Sequence, residues 1–299
     1  MPSTISWIGT TTDVSNTANY STGALPVNGD TLFIEANPNG TDVSLETNLS
    51  TLSGVTLAAL NISQTFSANV GTTAAYFQVS ATLVNIGYQY AGTVPANGSP
   101  LIRLNLGGVQ SLINVTGSSS SSTLAGSGPI SILGTNASNV LNIESGTVSI
   151  AASPTEVSTF ATINNGGTLT LGSGCTLTTI NNFGGSLTVQ SAFTTLTQAG
   201  GNVLAAGTGT ITTANVFGGS FTSQSTGTIT TLNVQAATAD FSTDPRAKTV
   251  TTANIYNGAT LNVNTGVKGS VTFTNPIVVK ASTGQYKLFV CPNTNLALS

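Results

Sequence analysis

The second half of this chain repeats a short pattern at a nearly constant interval. Between residues 158 and 263 a Thr-apolar-Thr-Thr step, followed by a glycine-rich step, returns roughly every 18 residues. Clear copies are TLTTINNFGGSLTV at 176–189, TITTANVFGGSFT at 210–222 and TVTTANIYNGATLNV at 249–263. A fixed period of this length, carried by β-branched residues, is typical of a stacked β-solenoid, in which no coil buries its apolar face alone. The sequence therefore predicts an all-β chain folded as a parallel β-helix with about 18 residues per coil.

Composition supports the same fold class and argues against two kinds of partner. Charged residues make up 5% of the chain, against about 25% in ordinary soluble domains. The apolar fraction is 39% and the mean hydropathy is +0.25, which is not the composition of a disordered chain. A net charge of −3 gives no basic surface for nucleic acid. No run approaches the ~18 apolar residues of a membrane-spanning helix. We therefore expect neither nucleic acid nor membrane as a partner.

The chain is predicted to have three parts. Residues 1–45, which hold the only tryptophan, are interpreted as an N-terminal cap that covers the open edge of the first coil. Residues 46–265 form the β-helix, with regular coils from about residue 158, and residues 266–299 form a C-terminal module whose strands are ordinary strands rather than coils. Five of the nine acidic residues fall in the first part or at its edge, and five of the six cationic residues fall in the last fifth of the chain. A serine run at 118–122 is interpreted as an exposed loop.

Few residues could carry chemistry. Histidine is absent, which removes the commonest metal ligand and general base together. The two cysteines, Cys175 and Cys291, are too few for a disulfide framework, and we expect Cys175 to be a buried or inert thiol. We predict no cofactor and no metal.

Hydrolysis of a glycosidic bond needs two carboxyl groups about 5–10 Å apart. The candidate pairs are Glu144 with Glu156, and Asp240 with Asp244. The first two lie 12 positions apart in a coil of about 18 and should face different ways. The second pair is expected in a solvated loop with local ion pairs to neighbours such as Arg246. The chain is therefore predicted not to be an enzyme.

Two other features are given structural interpretations. Arg103 is separated in sequence by tens of residues from any other charge, so no base and charge-neutralising group stand together for lyase chemistry. The Thr-Thr steps invite comparison with threonine ladders that bind ice, but their starts are spaced unevenly, which we expect to spoil a flat array. The threonines are interpreted as ordinary exposed strand residues, and the glycine pairs as the corners of the coils.

The N-terminal sequence MPSTISWIGTT has neither the basic nor the apolar region of a secretory signal. The composition nevertheless resembles that of a surface protein. A virus particle reconciles the two observations, because its parts are made in the host cytoplasm and reach the outside by lysis.

Two stretches carry a resemblance. ANYSTGALPVNGDTLFI at 18–34 resembles the opening of phage and bacterial β-helix surface proteins. TLAALNISQTFSANVGTTAAYFQVSATLVNIG at 56–87 resembles the predicted β-solenoid proteins encoded among the structural genes of tailed phages. The resemblance implies a virion component and brings no shared catalytic residues.

These observations together predict a structural virion protein. We expect a capsid decoration or cement protein on the capsid exterior, bound to the major capsid protein and forming a homotrimer. Specific interfaces enrich aromatic anchors, and lysines complement an acidic shell. The candidate interface residues are Trp7, Tyr20, Phe33, Lys268, Phe273, Lys280, Tyr286, Lys287 and Phe289.

Two alternatives remain open at this point. A tailspike or tail-fibre module that binds or cleaves host surface glycans should bring carboxylates and aromatic residues together along one groove. A bacterial surface adhesin should carry an export signal.

Overall fold

The computed structural model describes residues 1–37, 40–88, 101–116, 130–282, 284–290 and 298. Within these residues the secondary structure is β, apart from one three-residue 3-10 helix at Thr17–Asn19. The serine run at 118–122 and Cys291 lie outside the described residues.

The first compact unit comprises Met1–Ala151 and Glu156–Ala161. Its strands are β1 (Thr4–Trp7), β2 (Thr31–Ile34), β3 (Thr56–Ser63), β4 (Phe77–Gln78), β5 (Ser80–Tyr88), β6 (Arg103–Asn105), β7 (Leu112–Thr116), β8 (Ile130–Leu133), β9 (Val140–Ser145) and β10 (Thr147–Ile150). One sheet has the order β1-β2-β3-β5-β7-β9 and the other β4-β6-β8-β10. The strands pair in parallel, each with the strand one coil further along the chain.

The second compact unit comprises Ala152–Thr155 and Thr162–Ser299, and β11 (Ser158–Asn165) belongs partly to each unit. Its other strands are β12 (Thr168–Leu171), β13 (Cys175–Asn182), β14 (Ser186–Val189), β15 (Phe193–Gln198), β16 (Asn202–Ala205), β17 (Ile211–Val216), β18 (Ser220–Ser223), β19 (Ile229–Val234), β20 (Thr238–Asp240), β21 (Lys248–Ile255), β22 (Thr260–Asn262), β23 (Val271–Phe273), β24 (Val278–Val279) and β25 (Lys287–Phe289). One sheet runs β13-β15-β17-β19-β21-β23, with β24 also on β21, and the other runs β12-β14-β16-β18-β20-β22-β25.

This strand order is that of a parallel β-helix, as the repeat predicted. Successive side chains of a strand point to opposite faces, so one residue in two can enter the core of a coil. In β12 the order is exposed, buried, half-buried, buried, so Leu169 and Leu171 point inward. Residues in register stack into a fully buried column: Leu169, Leu187, Val203, Phe221, Ala239 and Leu261. The core is thus a set of apolar columns between the sheets of each unit.

A coil of about 18 residues is not confirmed for the chain as a whole. In the second unit, residues stacked on neighbouring coils, such as Asn215 and Asn233, are 18 positions apart. In the first unit the corresponding separations are 24 for Asn61 and Asn85 and 29 for Asn85 and Asn114. The sheet fixes the register of the strands, whereas the loops between strands take up any number of extra residues. Only coils joined by short turns keep the sequence period.

Both end segments contribute strands to the parallel sheets. The strands β1 and β2 lie within the segment predicted to be the cap; β1 pairs in parallel with β2, and β2 pairs in parallel with β3. At the other end β23 pairs with β21, and β25 pairs with β22, also in parallel. The prediction that the C-terminal strands are not coil strands is therefore wrong, because their backbones continue the same ladders. The boundaries at residues 45 and 265 stay predictions.

The glycine pairs stand at the corners between the sheets, as predicted. Gly219 has a φ of +72°, and a Cβ there would run into the backbone carbonyl of Gly201 in the preceding coil. Only a residue without a side chain lets the two corners approach this closely. Buried amides complete the corner: Asn182 Nδ2 donates to Gly200 O at 3.0 Å, and Gln198 Nε2 donates to Gly201 O at 3.0 Å. Gly201 O also accepts from the Ser220 backbone N–H of the next coil at 3.0 Å, so the amides add side-chain hydrogen bonds to the backbone ladder at the corner.

Candidate functional site

The N-terminal part of the predicted interface is corrected by the structure. Trp7 and Tyr20 are 2% and 1% exposed, and their rings meet edge to face at 5.3 Å. Trp7 Nε1 donates to Val43 O at 2.9 Å, and the Tyr20 hydroxyl donates to Val14 O at 2.8 Å. Burial is the main cause that raises the pKa of Tyr20. Both residues belong to the core of the first unit and present no surface to a partner. The prediction failed because aromatic residues with a polar atom occur in cores as well as in interfaces.

The remaining predicted interface residues are at least partly accessible. Phe33, Phe273 and Tyr286 are half-buried, whereas Lys268, Lys280, Lys287 and Phe289 are exposed. Phe289, on the last strand of its sheet, is 50% exposed. The Lys280 ammonium lies 5.3 Å from the centre of the Tyr256 ring. Their role in an interface stays a prediction.

Arg103 is not isolated in space, contrary to the expectation from sequence. Its Nη2 lies 3.2 Å from Glu156 Oε1, and its guanidinium stacks 4.0 Å above the ring of Tyr76. The Tyr76 hydroxyl donates to the same carboxylate oxygen at 2.5 Å. Burial, followed by this hydrogen bond, raises the pKa of Tyr76. The coils place these three groups side by side, with Arg103 at the start of β6 and Tyr76 and Glu156 outside the strands, and the distance between them in sequence gave no indication of it.

A second charge cluster lies in the loop between β20 and β21. Asp244 Oδ2 lies 2.8 Å from Arg246 Nη2 and 3.4 Å from Lys248 Nζ. The hydrogen bond from Arg246 is the main cause that holds the pKa of Asp244 well below its ordinary value. The predicted ion pairs are present, but the loop is not fully solvated, since Asp244 and Lys248 are 7% and 3% exposed. The Asp240 carboxylate accepts from the Ser242 backbone N–H at 2.8 Å, which is a turn contact.

The four carboxylates considered for hydrolysis therefore occupy different settings. Glu156 and Asp244 are held by cations, Asp240 stabilises a turn, and Glu144 is exposed on β9. The side chain of Cys175 is buried, as expected. The described stretches contain no group of three or more His, Cys, Asp or Glu residues that could hold a metal ion. In that same part of the chain, no helix is long and apolar enough to cross a membrane.

A line of outward side chains runs along the stack of coils in the second unit, at the position just before the corner between the sheets. Each lies directly after a strand of one sheet and donates its backbone N–H to the preceding coil. Phe217 N donates to Gln198 O at 2.8 Å, for example, and Tyr256 N to Val234 O at 2.9 Å. We call this line the aromatic column; its members, in coil order, are Phe183, Ala199, Phe217, Gln235, Tyr256 and Lys280. Its three aromatic residues are therefore separated by two coils each.

Polar columns flank the aromatic column. On the sheet that precedes the corner, the neighbouring outward positions in register are Asn181, Thr197, Asn215, Asn233 and Asn254. On the sheet that follows the corner, the first outward positions are Ser186, Asn202 and Ser220. These three residues help to line a depression of about 290 Å³ over β14, β16 and β18. The corner separates the two polar columns and consists of glycine pairs beside Phe183, Ala199 and Phe217.

The threonines of the repeat form a regular ladder. Thr179, Thr195, Thr213, Thr231 and Thr252 stand in one register. The expectation that uneven sequence spacing breaks this array is wrong, because the extra residues, such as those at 241–247, lie in a loop between strands. Their interpretation as ordinary strand residues stays a prediction.

The aromatic column was not found from sequence, although a signal for it exists. Each aromatic residue stands immediately before a corner, in the segments NFGG, VFGG and IYNG. These positions point outward because each follows an inward residue that ends a strand. Reading the repeats as stacked coils, and not one after another, brings the three residues into line.

Comparison with protein-family models, with curated proteins and with solved structures finds no match for this chain.

Proposed function

We propose that this protein is a structural component of a virus particle, a decoration or cement protein that stands on the capsid exterior as a trimer. Its partner is the major capsid protein. The observation that supports a structural role is the use of the half-buried and buried carboxylates: Glu156 and Asp244 both accept from cations of the same chain. A hydrolase needs such groups free to face a substrate.

The stacked core suits a part whose work is mechanical. Every inward column passes from coil to coil through parallel ladders, so one coil cannot open without exposing the apolar face of the next. Each of the two charge clusters joins the first residue of a strand, Arg103 or Lys248, to a carboxylate outside the strands, which ties neighbouring segments together. A body of this kind resists local unfolding and protease attack.

Attachment is assigned to the C-terminal segment from residue 266 onward. Lys268, Lys280 and Lys287 are exposed there, and Phe289 adds an apolar side chain that is 50% exposed. Cations of this kind complement an acidic shell, and an attachment based on them weakens as salt rises. The half-buried Phe273 and Tyr286 belong to the same surface in this proposal.

The experiment uses particles released from cells that carry the gene, purified on a density gradient. Particles stripped of the protein are incubated with the full-length chain, and the bound copies are counted at increasing salt. The wild type is expected to bind in a fixed copy number as a trimer. The variant Lys268→Gln/Lys280→Gln/Lys287→Gln should dissociate at lower salt than the wild type, whereas Glu144→Gln, a change of an exposed charge in the first unit, should not. A protein that neither sediments with the heads nor rebinds them would show the proposal to be wrong.

A further inference from the structure

The aromatic column exposes apolar surface that folding leaves unused. Phe183 and Phe217 are 61% and 46% exposed, and Tyr256 is half-buried. Single exposed apolar residues are common on protein surfaces. Here, however, three aromatic side chains stand at one position of the coil, in a chain that fills most other outward positions with Thr, Ser and Asn. Aligned exposed apolar groups are typical of binding surfaces.

The spacing of the rings is set by the sheet. Coils in a parallel β-helix lie about 4.8 Å apart, so rings two coils apart are separated by about 9.6 Å. An extended β-1,4-linked polysaccharide turns each sugar over relative to the last and therefore presents the same ring face once per disaccharide. The length of one disaccharide in such a chain is close to this two-coil step. Three aromatic rings in line thus match three sugar faces of the same orientation.

The surroundings of the aromatic column also suit a sugar chain. The Asn/Thr column on one side offers amide and hydroxyl groups at each coil, among them Asn215 and Asn233, which are hydrogen-bonded to each other at 2.7 Å. On the other side, glycine pairs at 184–185, 200–201 and 218–219 leave three successive corners without side chains, and Ser186 and Asn202 follow the first two. The next two corners carry the exposed side chains of Ala236 and Asn257. Aromatic faces flanked by convergent polar groups are the usual composition of sites that bind amphipathic ligands.

Charge restricts the class of ligand. From Phe183 to Tyr256 neither the aromatic column nor its two flanking polar columns contains a charged residue. The first charge along the aromatic column is Lys280, against the Tyr256 ring. An uncharged ligand complements such a surface, whereas each carboxylate or sulfate of an acidic glycan would lose hydration without gaining a cation.

We propose that the aromatic column binds a linear, uncharged β-1,4-linked polysaccharide that runs along the stack of coils. Phe183, Phe217 and Tyr256 each stack on one sugar, and one unstacked sugar lies between each pair of stacked ones. Cellulose-type and chitin-type chains share this chemistry. The site lies within the second unit and does not depend on whether the protein belongs to a virion.

The test measures binding of the full-length protein to cello-oligosaccharides and chito-oligosaccharides of two to six sugars by calorimetry. The outer two rings are about 19 Å apart, so affinity should rise with ligand length up to about five or six sugars. The two ligand series decide which of the two sugar types is preferred. Dextran, an α-1,6-linked glucan without this repeat, is the ligand control and should bind at least about tenfold more weakly.

Variants then locate the site. Phe183→Ala, Phe217→Ala and Tyr256→Ala should each weaken binding of the hexasaccharide several-fold, and the triple variant should lose about tenfold or more. Phe289→Ala removes an equally exposed Phe elsewhere and Gln235→Ala removes an intervening member of the column. Phe289→Ala should leave binding unchanged, and Gln235→Ala should change it less than any aromatic variant. Because the three aromatic side chains are outward, circular dichroism should show an unchanged fold. Equal binding of the hexasaccharides and dextran, or wild-type binding by the triple variant, would overturn the proposal.

Discussion

Asp244 shows how a chain with few charges uses one carboxylate. It lies within ion-pair distance of both Arg246 and Lys248, and Lys248 is 3% exposed. Lys248 Nζ also donates to the backbone carbonyls of Asp244 and Arg246 at 2.5 and 3.0 Å. The loop is therefore organised around a buried ammonium group whose one carboxylate partner in this cluster is Asp244.

The first prediction concerns the loss of that partner. Asp244→Asn keeps the shape of the side chain but removes its charge, so Lys248 retains only carbonyl acceptors. Leaving a buried charged group without its counterion costs about 1–3 kcal/mol or more. We expect the variant to unfold at lower urea concentration, and Asp240→Asn, in the same loop region, to change stability less. Equal stability of wild type and Asp244→Asn would show that the ion pairs contribute nothing to the fold.

The second prediction gives the pH dependence of the same contact. The pKa of Asp244 in the folded protein is lowered from its ordinary value of 3.8. A lowered folded-state pKa adds stability above the unfolded-state value, and this stability is lost as the pH falls below it. The difference in unfolding free energy between wild type and Asp244→Asn should therefore be constant above about pH 5 and shrink below pH 4. Urea unfolding at a series of pH values measures it, and a difference that grows on acidification would contradict the assignment.

At the scale of the strand and its corner, the inward and outward positions have very different tolerances. Leu187 stacks between Leu169 and Val203 and is 1% exposed, whereas Thr188, the next residue of β14, points outward. The corner residues differ in the same way, since Gly219 has backbone against it and Gly184 has nothing within 4 Å.

The third prediction compares two residues of one strand. Leu187→Asp buries a carboxylate in an apolar column and should cost about 3–5 kcal/mol. Thr188→Asp places the same group on the outer face and should cost no more than about 1 kcal/mol. Thermal unfolding followed by circular dichroism measures both. Similar effects of the two changes would mean that the inward register is misplaced.

The fourth prediction compares two glycines of the corners. Gly219→Ala adds a Cβ at a φ of +72° and against the carbonyl of Gly201, so it should destabilise the protein by about 1–3 kcal/mol. Gly184→Ala adds the same atom in open space and should be neutral or slightly stabilising. Urea unfolding of the pair is the measurement, and a more damaging Gly184→Ala would contradict the corner geometry.

Sequence reasoning succeeded where local pattern and structure share a period. The alternation around Leu187 and the position of the glycine pairs could be predicted because short turns keep each coil nearly constant. The longer coils of the first unit could not, since loop length is free once the strand register is set. The role of Trp7 was also misjudged, because composition alone does not distinguish a core aromatic from an interface aromatic. The alignment of Phe183 with Phe217 was not predicted, because these residues are neighbours along the stack of coils but lie far apart in sequence.

At the scale of the whole molecule, charge and function are distributed unevenly along the chain. Five of the nine acidic residues lie within the first 46 residues, and five of the six cationic residues lie from Arg246 onward. The proposed attachment surface uses exposed lysines of the C-terminal segment, and the proposed polysaccharide site uses uncharged columns of the second unit. The two proposals therefore concern different side chains, apart from Lys280 at the end of the aromatic column, and one can fail without the other.

The most direct test of the structural virion role is a cryo-electron microscopy reconstruction of the purified particles. The proposal predicts threefold-related copies of a parallel β-helix on the outer surface of the capsid, with Lys268, Lys280 and Lys287 turned toward the major capsid protein. Density for the chain at the tail tip, or particles that contain no copy of it, would contradict the proposal.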